Sequence, residues 1–440
     1  MTTDTTTGPA RAAAPVPTVA VGAPGAPAHL AGTAVAALLG VRLPDGTIAD
    51  LTLTDGWITG VRPVGAAGPV PRPDGAALLD ASGWRFVPAA SEPHAHLDKA
   101  LTAPRMDPGA GNDLVSAVAS WRELLPTITS ADVHERALAA IHRYAANGIT
   151  TIRSHVDMPA EGDPMRGVDA LLALREELSG RIRLQVCILA GSETPDWAIA
   201  EAVARGVDVI GGCPHLSPDP HAETTRMLDV AERHGLPVDL HTDEQTAAPE
   251  VDIVDLAEQV LARGLTQRVT ASHCVRLGSL PPERLVPVLD LVARAGLGVV
   301  TLPITNLYLQ GWDATHLAPR GLTAMRALLD AGIPLAAGAD NLRDPFNPAG
   351  RADPFETTAL LMTAGHLRAE EALAAVTTGA RTVLGLPQVG AAVGHAADLM
   401  LVPDGDLGDL LAGTPDARVV LHGGRVVADT RINRSLDLFQ

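Results

Sequence analysis

Ser91-Glu92-Pro93-His94-Ala95-His96-Leu97-Asp98-Lys99 follows an apolar run ending in Phe86-Val87-Pro88 and carries two imidazoles in a His-x-His spacing. On an extended strand, residues i and i+2 share a face, so His94 and His96 can both reach one metal ion. Taken alone, the pair fits two surface histidines beside a turn equally well. The reading is decided further along, where His241, His273 and Asp340 each stand just past a short apolar run of buried-strand length. The expectation is a barrel with a metal at one mouth.

Outward from that stretch the sequence repeats. A helix-like segment ends in a glycine, which suits the left-handed position after a helix, and an apolar run follows at once. The glycines are Gly148, Gly180, Gly206, Gly235, Gly264, Gly296 and Gly332, at steps of 32, 26, 29, 29, 32 and 36 residues. They introduce runs at 149–154, 182–189, 207–210, 237–240, 269–272, 297–302 and 333–337. With the run before His94 these make eight, and eight such units predict an α/β fold, a (β/α)8 TIM barrel over residues 89–390. One helix shows the pattern: Thr129 or Ser130 caps it, Val133, Ala137, Ile141 and Tyr144 share a face, and Asn147-Gly148 ends it. It is expected to pack outside the barrel. Catalytic groups of such barrels sit at the C-terminal ends of the strands. The candidates fall there: His94 and His96 after strand 1, His155 and Asp157 at strand 2, His215 at strand 4, His241 and Glu244 at strand 5, His273 at strand 6 and Asp340 at strand 8.

The flanks read differently. From about residue 33 to 87, short strands alternate with turns, and Asp45-Gly46 and Asp55-Gly56 are hairpin signals. Residues 397–402 and 417–427 repeat that texture at the other end. The two ends are expected to pair as a small β-sandwich domain, residues 31–88 with 391–440. Residues 1–30, rich in Thr, Ala, Pro and Gly, read as a disordered tail without the basic and apolar regions of a signal peptide.

A net charge of −18 argues against a nucleic-acid partner, which needs a basic face to neutralise phosphates. No apolar run approaches the ~20 residues of a membrane helix, so no membrane partner is expected. Cys187, Cys213 and Cys274 are widely spaced in or beside apolar runs and suggest neither a CxxC site nor a disulfide framework, which points to the cytoplasm. A homo-oligomer is compatible with the sequence, which does not fix the assembly.

Three imidazoles and a carboxylate can hold Zn²⁺ or Fe²⁺ and leave a position open for water, whose pKa the ion lowers towards ~7. Glu244, three residues past His241, is placed to take a proton from water and hand it to a substrate nitrogen. The constellation and the repeat together resemble the amidohydrolase superfamily and, within it, the cytosine deaminase group. The resemblance covers nearly all of the chain past the tail. It rests on Glu92-Pro93-His94-Ala95-His96-Leu97-Asp98, Arg153-Ser154-His155-Val156-Asp157, Pro214-His215, His241-Thr242-Asp243-Glu244, Thr270-Ala271-Ser272-His273, Asn306-Leu307-Tyr308-Leu309-Gln310-Gly311 and Gly338-Ala339-Asp340-Asn341-Leu342-Arg343-Asp344-Pro345.

The resemblance implies that His94, His96, His241 and Asp340 bind the metal, with Asp340 also counted among the catalytic groups. It implies further that Glu244 shuttles protons, that His273 positions or polarises the attacking water, and that Gln310 faces the substrate. Superfamily members with two metals bridge them by a carboxylated lysine after strand 4. Here Lys99 is the only lysine and lies after strand 1, so one divalent ion per chain is expected. Lys99 is a candidate to touch a substrate oxygen or anionic group, and His155 and His215 are candidates for the pocket. Asp98 and Asp157 are candidates to orient ligand histidines. Asn341 and Phe346 stand where cytosine deaminases carry aspartate and tryptophan, so the ring recognised is expected to differ.

The first reading is therefore a metal-dependent aminohydrolase of a small cytosine-like or triazine-like heterocycle. The second is a ring-opening cyclic amide hydrolase. The third, of another class, is a non-catalytic barrel that binds a metal or a ligand.

Overall fold

A computed structural model describes residues 18–66, 76–107, 112–246 and 250–435. Eight parallel strands form the central sheet in sequence order: β1 (Ala90–Ala95), β2 (Ile149–Met158), β3 (Arg183–Ala190), β4 (Ile210–Gly212), β5 (Val238–Thr242), β6 (Val269–His273), β7 (Gly298–Thr301) and β8 (Leu335–Ala337). The seven punctuating glycines all take positive φ, from 60° at Gly264 to 101° at Gly148. Gly206, Gly235, Gly264 and Gly296 end their helices in the left-handed conformation, where a side chain would be strained and the chain turns back toward the next strand. This device, repeated, sets the strand–helix rhythm of a TIM barrel.

Two helices lie between β1 and β2: α1 (Leu114–Leu124) and α2 (Ser130–Ala146). Thr129 caps α2 by accepting from the Asp132 amide at 3.2 Å, and its buried face carries Val133, Ala137, Ile141 and Tyr144. That face joins the large core between the strands and the outer helices. The ring of strands nearly closes: β1 meets the β8 side through the bridge Ala95↔Asp340.

The chain ends form one curled, nine-stranded mixed sheet. Strand Val35–Arg42 pairs with Ile48–Thr54, and that strand with Trp57–Pro63, through the turns at Asp45-Gly46 and Asp55-Gly56. Asp55 and Gly56 have φ of 50° and 82°, as a two-residue hairpin turn requires. Trp84–Pro88 pairs antiparallel with Leu399–Pro403 from the other end of the chain, which pairs in turn with Ala417–His422. Leu38, Leu51, Phe86, Leu399 and Val419 share the core of this unit.

Residues 18–30 depart from the tail reading. Thr18–Ala20 pairs in parallel with Ala77–Asp80, and Val21 and Leu30 are buried. Trp84 Nε1 donates to the Gly22 carbonyl at 2.9 Å. Composition alone underrated the segment because two apolar side chains and a set of backbone bonds are enough to dock an edge strand. Residues 1–17 of the tail expectation lie outside the described residues.

Where sheet and barrel meet, buried charges are paired. Arg381 and His422 flank Asp398, the latter at 2.9 Å, and Arg418 holds Asp353 through two bonds of 3.0 and 2.7 Å. Among the described residues no helix is long and apolar enough to cross a membrane.

Candidate metal centre and active site

Strand alternation brings His94 and His96 to one face at the C-terminal end of β1, His241 lies in β5, and Asp340 follows β8. Nε2 of His94 lies 3.1 Å from Nε2 of His241, which is 3.3 Å from Nε2 of His96. Asp340 Oδ1 is 3.2 Å from His96 Nε2 and 3.7 Å from His94 Nε2. A tetrahedral ion with ligands at about 2.0–2.1 Å needs those atoms roughly 3.3 Å apart, and the four edges bracket that value. Burial comes first in holding the three imidazoles well below the ordinary histidine range; neighbouring imidazoles and, for His96, Lys99 add to it. Held neutral, each ring keeps one nitrogen lone pair to offer, and at His96 the other nitrogen, Nδ1, lies 3.2 Å from Lys99 Nζ. Asp340 Oδ1 is buried without a hydrogen-bond partner among the described residues, an arrangement that a shared cation resolves.

Beside these donors stands Glu244. Its Oε2 lies 3.4 Å from His215 Nε2 and its Oε1 3.7 Å from His273 Nδ1. Burial pushes this carboxyl up, but His273, His215 and Lys99 outweigh it and hold the group below its usual range. His273 is driven the other way, down to about 4, chiefly by burial. The Asn306 amide lies 3.0 Å from His273 Nδ1, and donation to that atom assigns the ring proton to Nε2, which has no hydrogen-bond partner among the described residues. The chain strains to place these groups: Asp243, His273, Cys274 and Asp340 all have φ between 50° and 72° at strand exits. At Asp243 this turn breaks the strand alternation. Its carboxylate accepts from the Asp252 and Ile253 amides at 2.7 and 3.0 Å, anchoring the helix Asp252–Arg263, while Glu244 enters the cavity.

The cavity over the donors holds about 850 Å³. His96, His241, His273, Glu244 and Asp340 line its floor, and Lys99, Asn341 and Phe346 its wall. Lys99 Nζ is 2.8 Å from Asp157 Oδ1 and lies 5.8 Å and 5.3 Å from the ring centres of Trp121 and Phe346. Burial lowers the affinity of Lys99 for its proton, but Asp157 and Asp98 outweigh that and keep it charged.

Other expected site residues lie elsewhere. His155 stacks on His94 at 3.9 Å inside the barrel, with Nε2 3.7 Å from Asp239 Oδ2. Asp239 also receives Arg153 at 2.8 Å and Ser272 at 2.6 Å. His215 donates through Nδ1 to the His241 carbonyl at 3.1 Å. Gln310 Nε2 donates to the Glu244 carbonyl at 2.8 Å. His155, His215 and Gln310 therefore back the ligands and Glu244 and are not on the cavity wall. Asp98 and Asp157 orient no ligand ring: Asp98 accepts from the Asp157 amide at 3.0 Å, and Asp157 is taken by Lys99 and Trp121.

Sequence reasoning gave no role to Asn306, Asp239 or α1. The helix had a legible signal, since Leu114, Val118, Trp121 and Leu125 recur at helical spacing and all four line the cavity.

The amidohydrolase family profile matches residues 120–428. The chain belongs to the amidohydrolase family. It is a hydrolytic enzyme acting on carbon–nitrogen bonds, and its buried cluster of His94, His96 and His241 could hold a metal ion. The chain is 32% identical over 390 residues to the pterin deaminase of Rhizobium rhizogenes, an alignment covering 86% of this chain and 87% of that one. It is 25% identical over 341 residues to the N-isopropylammelide isopropyl amidohydrolase of Pseudomonas sp., covering 74% and 81%. Among solved structures it is similar to the 5-methylcytosine deaminase of Klebsiella pneumoniae liganded with phosphonocytosine. The TM-score is 0.81 at 26% identity, covering 91% of this chain and all of that one.

Proposed function

We propose that this enzyme hydrolyses an exocyclic amino group from an oxo-bearing fused heterocycle of the pterin type, using one Zn²⁺ or Fe²⁺ per chain held by His94, His96, His241 and Asp340. The observation that carries the reading is the placement of Glu244 between His215 and His273 at the edge of the donor set. A divalent ion bound there supplies acidification of a water near neutral pH. The residues do the rest. Glu244, kept as a carboxylate, takes one proton from the attacking water and delivers it to the ring nitrogen beside the aminated carbon, then takes the second from the hydroxyl now on that carbon and delivers it to the departing amine. The carbon gains an oxygen, the C–N bond breaks, and ammonia leaves with the ring still closed. His273, donating from Nε2, holds the water in line, and Asn306 fixes that tautomer.

Cavity size supports a substrate larger than cytosine. About 850 Å³ exceeds what a single six-membered ring fills and lies in the range of drug-sized ligands, ~300–1,000 Å³. Lys99, fixed and charged between two aromatic rings, suits a ring carbonyl oxygen. The Asn341 amide nitrogen is committed to Asp344 at 2.7 Å, so its oxygen is the atom to accept from a ring N–H. The similarity to a pterin deaminase over most of both chains agrees with this choice. Free cysteines, two of them buried, fit a reducing cytoplasm.

Ammonia release should be measured from pterins, aminopyrimidines and aminotriazines with metal-loaded protein. The expected result is the highest kcat/KM on a pterin, with the ring intact by mass. Ring opening without ammonia, or a preference for cytosine, would overturn the assignment.

A further inference from the structure

The barrel has one seam that its backbone does not sew. β8 and β1 share no ladder among the described residues and meet only at the bridge Ala95↔Asp340. Two of the four metal donors, His94 and Asp340, belong to opposite sides of that seam. Metal–ligand distances tolerate only about 0.2 Å, so a seam free to slide would spoil the centre.

The Glu92 side chain crosses the gap. It is 2% exposed; its Oε2 accepts from the Ala339 amide at 2.9 Å and its Oε1 from the His94 amide at 3.3 Å, and the Asp340 amide also bonds to this carboxylate. The path is opened by Gly338, where an added Cβ would lie 2.0 Å from Glu92 Oε1. Gly338 has no positive φ, so the glycine is there for space. From across the site, Thr305 Oγ1 donates to the Ala339 carbonyl at 3.1 Å and holds the same peptide from its other end. Glu92 does not line the cavity.

We infer that Glu92 is the positioning residue of the metal centre, a side chain that replaces the missing ladder and fixes the β1 donor His94 against the β8 donor Asp340 through the slot at Gly338. This rests on the metal-centre reading above. Glu92→Asp keeps the carboxyl group but shortens the reach by one methylene, and Gly338→Ala displaces that group. Partners of metal ligands typically contribute about 10–100-fold in metal affinity. Both variants should raise the Zn²⁺ dissociation constant, measured by chelator competition, by at least about tenfold and alter the visible absorption of the Co²⁺ form. Glu92→Gln, of full length with one acceptor oxygen, should lie between Glu92→Asp and wild type.

Asp398→Asn, at the far end of the barrel, serves as the stability control and should lower the melting temperature without moving Zn²⁺ affinity or the Co²⁺ spectrum. The inference is overturned if Glu92→Asp and Gly338→Ala bind Zn²⁺ as wild type does with an unchanged Co²⁺ spectrum, or if Asp398→Asn loosens the metal equally. Should one seam variant fail to fold, the other and Glu92→Gln decide by the same two readouts. Wild-type protein that binds no Zn²⁺ would instead refute the metal centre itself.

Discussion

Two sets of buried charge occupy this barrel, one at each end, and they are built to opposite rules. At the end facing the curled sheet, Arg381, Asp398, His422, Arg418 and Asp353 are buried or nearly so, and each lies within 2.9 Å of an acid or base partner, with Arg381 Nε and His422 Nδ1 making no hydrogen bond among the described residues. At the mouth, three imidazole nitrogens and a carboxylate oxygen crowd together, with Asp340 Oδ1 and His273 Nε2 left without hydrogen-bond partners among the described residues and the backbone strained around them. Buried polar groups that are satisfied internally hold a fold; buried polar groups left open bind something. The contrast predicts that substitutions at the mouth abolish activity with little loss of stability, and that substitutions at the closed end do the reverse.

The largest effect should come from His96→Ala. Because a bound ion lowers the pKa of water by several units, its loss should reduce kcat/KM by at least about 10⁴, while the melting temperature of the metal-free protein changes little. A large fall in that melting temperature would show that the cluster is structural.

Asp398→Asn should cost about 3–5 kcal/mol of stability, by leaving buried Arg381 unpaired, with kcat unchanged below the transition. The pH dependence sharpens this test. Burial pushes the Asp398 carboxyl up, but His422 and Arg381 outweigh it and hold its pKa well below the usual range. A depressed folded pKa adds stability that is fully present above the unfolded value of about 4 and is lost as pH falls below it. Denaturation curves of wild type and Asp398→Asn should therefore approach each other in acid and stay apart at pH 7.

Glu244→Gln should lose at least about a hundredfold in kcat at full metal content, the lower end of the range for general acid–base catalysis. Its neighbour gives the smallest effect. Asp243→Asn removes one acceptor at the start of a helix and should cost about 1 kcal/mol of stability, with kcat kept within a few-fold. If the pattern were inverted, with Asp243→Asn inactive and Glu244→Gln active, the proton shuttle would be on the wrong carboxylate.

The barrel was legible because its rhythm is written in local terms: a left-handed glycine after each helix and an apolar run after each glycine need no knowledge of distant residues. The strand ends of the candidate site were legible for the same reason. Rotation and reach were not. His215 lies in the turn Pro214–Leu216, where its direction is set by the His241 carbonyl, and Gln310 is drawn to the Glu244 backbone. His155 ends up inside the barrel because Asp239, Arg153 and Ser272 form a polar layer there that no single strand announces. Strand alternation alone would turn Asp243 away from Glu244; the chain achieves this through a left-handed turn that ends the alternation. The docked strand Thr18–Ala20 was hidden in a composition typical of tails, since its register is fixed by Ala77–Asp80 far along the chain.

One measurement bears most directly on the central claim that a single ion at the four-donor cluster drives deamination. Metal-free protein is titrated with Zn²⁺ or Fe²⁺ while ammonia release from a pterin is followed. The rate should rise linearly to one equivalent per chain and stay flat beyond it. A rise that continues to two equivalents, or full activity in protein freed of metal, would contradict the account.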